Sequence, residues 1–163
     1  MIAAEELRYR PVTAIDGPSL YRLFLQVNAA ALATLAGDTN ARQALASMEY
    51  VEESVRTKTE FPDAVDLAIE HRGTVCGRMT SVMREGGIQL LRLSVLAEHR
   101  GQGIGTQAMH RLARLAEDHG CLLWLRADAA SQGCRGFLEH VGFEVVGRGG
   151  RIHLEHAGAV AAA

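Results

Sequence analysis

The sequence predicts a mixed α/β fold: a central sheet, largely antiparallel but with one parallel strand pair, flanked by helices on both faces. Three observations carry this. Segments rich in β-branched and aliphatic residues meet at Arg72-Gly73 and at Gly86-Gly87, where glycine suits tight hairpins and makes 64–71, 74–83 and 88–96 antiparallel neighbours. A glycine-rich turn then leads from 88–96 into an amphipathic helix and a further strand, 121–128. Such a strand–helix–strand step makes its two strands parallel. Apolar residues at helical spacing elsewhere supply the flanking layers.

Taken in order, "LRYRPVT" (7–13) alternates as a short strand. Asp16 and Pro18 read as the cap and first turn of a helix carrying Leu20, Phe24, Val27 and Ala31 on one side. A second helix is expected over 40–58, with Leu45, Met48 and Val55 as its apolar stripe, and Pro62 ends that region. After the three strands, Ile104, Ala108, Leu112, Leu115 and Ala116 mark one face of a helix that ends at Gly120. The strand 121–128, a short helix within 131–142 bearing Cys134, Phe137, Leu138 and Val141, and a hairpin over 143–156 around Gly149-Gly150 complete the order. There is no internal repeat and no linker, so residues 1–156 form one domain, and the small-residue end 157–163 is expected to be a disordered tail.

Composition narrows the function. The chain has 163 residues, 48% of them apolar, which suits one core. A net charge of −2 without a Lys/Arg block argues against nucleic acid as a partner. No apolar run approaches membrane-spanning length, and the first residues lack a signal peptide's apolar core, so a cytoplasmic protein with no membrane partner is the expectation. Cys76, Cys121 and Cys134 are odd in number and widely spaced, which suits small buried thiols rather than a disulfide ladder. His119 and Cys121 alone do not make a metal site, and no metal is expected.

The most informative stretch is "EHRGQGIGTQAMHRLARLAEDHG" (98–120). Three glycines directly before a helix are costly in backbone entropy unless something must approach the main chain. A strand that enters a helix N-terminus through glycine offers outward amides and the positive end of the helix dipole, which suits a phosphate. Gly101, Gly103 and Gly105 would clear side chains from that place; Arg100 would add charge, and Gln102 and Thr106 hydrogen bonds. The third glycine comes too early for G-x-G-x-x-G, and no Gly-Lys-Ser/Thr follows, so neither a Rossmann nor a Walker loop is present. A loop that merely turns the chain is the plainer alternative.

"LSVLAEHRGQGIGTQAM" resembles the acyl-CoA-binding signature of the GNAT superfamily of N-acetyltransferases, Arg/Gln-x-x-Gly-x-Gly/Ala, with Arg100, Gly103 and Gly105 in its places. "LLWLRADAASQGCRGFLEHVGFEVVG" resembles the second half of the pattern, including its closing Gly-Phe at Gly142-Phe143, and the element order matches over 7–156. The resemblance implies a GNAT-like fold in which 88–96 and 121–128 splay apart around acetyl-CoA. It implies pantetheine pairing with the main chain of Leu93 and Val95, pyrophosphate on the amides of Gly101, Gln102, Gly103, Ile104, Gly105 and Thr106, and a cofactor contact at Ser131. It implies direct attack of an amine acceptor on the thioester, with a backbone N–H near Val95 stabilising the oxyanion. A homodimer is compatible with it.

Three positions depart from the pattern. The tyrosine acid of many members falls on Leu138, and the carboxylate bases of two branches fall on Gln89 and Arg126, which are not bases at neutral pH. Glu70, at the end of a central strand, is the candidate base, with an exposed hairpin-end carboxylate as the plainer reading; Ser94 is a second candidate for the acceptor side. Trp124 and Phe137 read as core. The acceptor-shaping segment 28–62 carries Glu49, Glu52, Glu53 and Glu60, which either attract a cationic amine or form a solvated face. An N-acetyltransferase is the leading expectation; an acyl-CoA-binding module that has lost turnover is the alternative.

Overall fold

The computed structural model describes residues 1–3, 6–84, 86–126, 134–148 and 151–156. Its strands are β1 (Leu7–Pro11), β2 (Val65–His71), β3 (Thr74–Arg84), β4 (Gly87–Val95), β5 (Leu122–Arg126), β6 (Phe143–Arg148) and β7 (Arg151–His156). Its α-helices are α1 (Gly17–Val27), α2 (Ala29–Leu32), α3 (Thr39–Glu60), α4 (Ile104–Asp118) and α5 (Arg135–His140). The expected tail 157–163 and the turn at Gly149-Gly150 lie outside the described residues.

The strands form one sheet in the order β1-β2-β3-β4-β5-β7-β6. Every neighbouring pair is antiparallel except β4 and β5, as the strand–helix–strand reading requires. The last hairpin folds back so that β7, not β6, pairs with β5. That inversion is invisible in periodicity, because both strands have similar composition.

The two faces of the sheet differ in chemistry. Leu67, Met79, Leu93 and Val95 pack with Ile104, Ala108, Met109, Leu112, Ala113 and Ala116 of α4. This is the main core, and cutting Leu112 back to alanine there would cost about 2–5 kcal/mol. The opposite face, under α1 and α3, carries Asp66, Arg78, Thr80, Arg92 and Ser94 as cross-strand neighbours. Arg78, Arg92 and Ser94 of this polar face line a cleft.

Several helix faces differ from the expected ones. In α3, Leu45, Met48 and Val55 point to solvent, and the inward positions are Ala46, Tyr50 and Glu53. The apolar stripe was the wrong guide because the inner face of α3 walls the cleft instead of packing on a core. In α1 the buried residues are Leu20, Leu23 and Phe24, whereas Val27 is exposed, as is Ala31, which lies in the separate α2. In α4, Leu115 is exposed and Met109 and Ala113 take its place in the core. Asp16 makes no side-chain cap to α1; its carboxylate instead accepts from the Thr13 N–H at 2.7 Å and from Arg10. Asp38 does cap α3, accepting from the Ala41 N–H at 2.9 Å.

Candidate functional site: a cleft where two parallel strands part

β4 and β5 stay together only from Gly87 to Gln89, opposite Leu122 to Trp124. Beyond Gln89, β4 continues to Val95 with no strand partner on that side among the described residues. A register shift against β3 leaves Leu91 without an opposite residue, a β-bulge at the point of divergence. Leu96 donates to the Cys76 carbonyl at 2.9 Å. Antiparallel bonding alternates, so the main-chain groups of Leu93 and Val95 face the open edge instead of β3. Consistent with this, the Val95 carbonyl accepts from Arg100 Nε at 2.9 Å.

The open edge borders a cleft of about 770 Å³ between β4, α1, α3, α4 and α5. Its far end is the glycine loop. Gly101 and Gly103 have φ of 73° and 82°, left-handed values that side chains rarely tolerate. Gly103 is the N-cap of α4, so no side chain caps that helix, and its first turn holds no acidic residue. The first intrahelical bond runs from the Gln107 N–H to the Gly103 carbonyl at 3.0 Å. The amides of Ile104, Gly105 and Thr106 therefore have no partner within the helix, and they lie at the cleft wall. Gly105 has a different reason to be glycine: a Cβ there would come within 3.3 Å of Phe137 Cζ on α5.

The nearer half of the cleft is polar. Arg78 donates to both carboxylate oxygens of Asp66, at 2.8 and 2.6 Å, and Thr80 donates to the same carboxylate at 2.9 Å. Arg92 forms an ion pair with Glu53 of α3 that bridges sheet and helix. Both partners are partly shielded, 21% and 28% exposed, and burial lowers the Arg92 pKa while Tyr50 opposes the shift. Tyr50 packs edge-on against Tyr21 and beside Phe24. Arg92 also walls a second, smaller cavity of about 310 Å³ with Arg56, Glu60, Gln89 and Arg126.

Most sequence-predicted residues meet in this cleft. Leu93, Ser94, Val95, Arg100, Gly101, Gly103, Ile104, Gly105 and Thr106 all line it. Gln102 does not; its side chain donates to the Glu98 carbonyl at 3.2 Å, and its own carbonyl accepts from the Ile2 N–H at 3.0 Å. Ser131 lies outside the described residues. Glu70 is placed on β2, two strands from β4, and accepts from Arg10 Nε at 2.8 Å. Arg10 also holds Asp16, so Glu70 belongs to a buried structural cluster and is off the cleft wall. Leu138 lines the cleft and is buried, and Gln89 and Arg126 face the smaller cavity. Phe137, read as core from sequence, both packs on the core and lines the cleft.

Sequence reasoning passed over Arg78, Arg92 and Tyr50, and named Glu53 only among four glutamates. A signal was present: Arg78 and Arg92 interrupt otherwise apolar strands, and a charge at such a position marks a floor that is not core. Of the four glutamates, Glu53 alone lines this cleft; Glu49, Glu52 and Glu60 are exposed. No group of three or more His, Cys, Asp or Glu able to hold a metal occurs among the described residues. No helix among them is long and apolar enough to cross a membrane.

A mixed sheet whose parallel pair opens onto an uncapped, glycine-led helix N-terminus defines an acyl-CoA-type transferase fold. The pattern of the acetyltransferase (GNAT) family matches residues 30–143, and the chain belongs to that family. No curated protein sequence matches it. Among solved structures it is similar to the PaiA N-acetyltransferase of Thermoplasma acidophilum in complex with coenzyme A (18% identity, 92% of this chain and 98% of that one, TM-score 0.64). An acetyltransferase of Thermus thermophilus is similar to the same degree (22% identity, 94% and 97%, TM-score 0.64). A GNAT family acetyltransferase of Elizabethkingia anophelis with acetyl-CoA bound is similar to a lesser degree (14% identity, 93% and 98%, TM-score 0.56). At these identities the likeness is one of fold.

Proposed function

We propose that the protein transfers an acetyl group from acetyl-CoA to a primary amine by direct attack of the amine on the thioester. One observation carries the reading: the edge of β4 that no described strand covers and the start of α4 at Gly103 line the same cleft. A strand edge that can accept an extended amide-bearing arm then leads straight to three amides suited to a pyrophosphate. The pantetheine arm pairs with the main chain of Leu93 and Val95. The pyrophosphate rests on the amides of the loop from Gly101 to Thr106, and Arg100 adds positive charge while tied to Val95.

The amine approaches from the polar half, over Arg78, Arg92 and Ser94. Its nitrogen forms the C–N bond, the carbonyl oxygen becomes an oxyanion beside the β4 main chain, and the C–S bond breaks as the oxyanion collapses. Of the three protons on a bound ammonium, one leaves before attack, one stays on the amide and one ends on the CoA sulfur. Glu53 and water are the acceptors within the cleft for the first of these. With Leu138 in place of a tyrosine, the thiolate leaves without a phenolic acid, which a thiol of moderate basicity tolerates.

A specific observation favours a second reading, an acyl-CoA-binding module without turnover: Leu138 is apolar and Gln89 and Arg126 are not bases. The two are separated by a thiol-release assay with acetyl-CoA across amines, antibiotics, amino acids and peptide N-termini. Amine-dependent release supports the enzyme. Binding of acetyl-CoA without release for any acceptor supports the module.

A further inference from the structure

We infer that the acceptor is an amino-acid-type zwitterion, its carboxylate taken by Arg92 and its amine by Glu53; this rests on the transfer reading above. The observation is the charge arithmetic of the cleft floor. Asp66 accepts two bonds from Arg78 and one from Thr80, and is committed to holding that arginine. The pair left to meet a ligand is Arg92 with Glu53, one cation and one anion in contact and partly shielded from water.

Such a pair selects by what it would leave unpaired. A polycation binding Glu53 would strand Arg92 beside a second guanidinium, Arg78, which lines the same wall. A simple carboxylate binding Arg92 would strand Glu53. A shielded charge stripped of its partner is unfavourable. A molecule with an ammonium and a carboxylate close together inserts against the pair and leaves both charges satisfied. Arg92 offers the planar fork that matches a carboxylate. Its other side borders the smaller cavity, whose described lining also includes Arg56 and Glu60.

The placement also gives the amine its proton route. With the ammonium on Glu53, one proton passes to that carboxylate or to water, and the neutral amine attacks the acetyl carbon. The C–N bond forms, the C–S bond breaks, the second proton goes to the CoA sulfur, and the products are an N-acetyl amino acid and CoA.

The test compares kcat/KM for the protein amino acids with the values for their decarboxylated amines and methyl esters, in parallel with calorimetric binding of acetyl-CoA. At least one amino acid is expected to exceed its decarboxylated and esterified counterparts by about tenfold or more, since a site built for a polar group rejects analogues that lack it. The double variant Arg92→Gln/Glu53→Gln removes the pair without stranding a charge. It is expected to reduce that preference to near unity while acetyl-CoA affinity stays within about twofold, a difference small against the tenfold that 1.4 kcal/mol represents. Equal or better use of decarboxylated amines or esters overturns the zwitterion class and leaves acetyl transfer standing. A preference that survives in the double variant overturns the residue assignment. Absence of turnover with any acceptor while acetyl-CoA binds overturns this inference and the transfer reading together.

Discussion

Gly105 on α4 and Phe137 on α5 meet so closely that a Cβ on the glycine would lie 3.3 Å from the phenylalanine Cζ. The contact joins the N-terminal end of α4 to the helix that carries Leu138, and all three residues line the cleft. Replacing Gly105 by valine adds three carbons where one is already tight, so Phe137 must move into the cleft or α5 must shift. Acetyl-CoA affinity is expected to fall by about tenfold or more, which is about 1.4 kcal/mol. Calorimetry on the variant checks this, with the melting temperature showing that the fold persists.

Gly103 tests the loop itself. At φ of 82° a side chain is strained, so alanine measures the strain and aspartate adds a negative charge with no greater backbone cost. Gly103→Asp is expected to bind acetyl-CoA about tenfold or more weaker than Gly103→Ala. Equal affinities of the two variants would place the phosphates elsewhere.

Glu70 separates structure from chemistry. Glu70→Gln loosens the Arg10 cluster and is expected to lower stability by about 1–3 kcal/mol, as a buried charged bond is weakened, with acceptor kcat unchanged. A collapse of kcat with stability retained would return Glu70 to the reaction. The same cluster sets an acid limit. Arg10 holds the Asp16 carboxyl well below its ordinary value. A lowered folded-state pKa contributes stability that is full above the unfolded value, near 4, and is lost as pH falls below it. Denaturation midpoints measured downward from neutral pH should therefore stay level until about that pH and then drop, and Asp16→Asn should flatten the drop.

The thiols report the cleft from another side. Cys76 is fully buried, its thiol pushed up to about 11 by desolvation, and donates to the Ile69 carbonyl. Cys134 is exposed and lines the cleft. In native protein at pH 8, a thiol reagent is expected to leave Cys76 untouched and to label Cys134, and acetyl-CoA should slow the Cys134 reaction. Labelling of Cys134 at the same rate with and without acetyl-CoA would mean that the ligand does not fill this cleft.

The parts of this molecule that sequence made legible are those fixed by local rules. The hairpins followed from Gly73 and Gly86, both at φ of 80°. The parallel pair followed from the helix between its strands, and the phosphate-suited loop from Gly101 and Gly103. What stayed hidden depends on distant neighbours. The solvent-facing stripe Leu45, Met48 and Val55 has core-like periodicity, and nothing local says that α3 walls a cleft. Glu70 reads as available in the sequence, yet Arg10, 60 positions away, holds it. The pairing of Glu53 with Arg92 joins residues 39 positions apart. No short motif encodes it.

The proposed reaction moves an acetyl group, within this cleft, from CoA sulfur to an amine nitrogen. The most direct measurement follows free thiol from acetyl-CoA with and without an amino acid acceptor, and identifies the product by mass spectrometry. The predicted result is acceptor-dependent thiol release matched one for one by N-acetylated acceptor, and its loss in Gly103→Asp. Thiol release that is the same with and without any acceptor, with no acetylated amine formed, would contradict it.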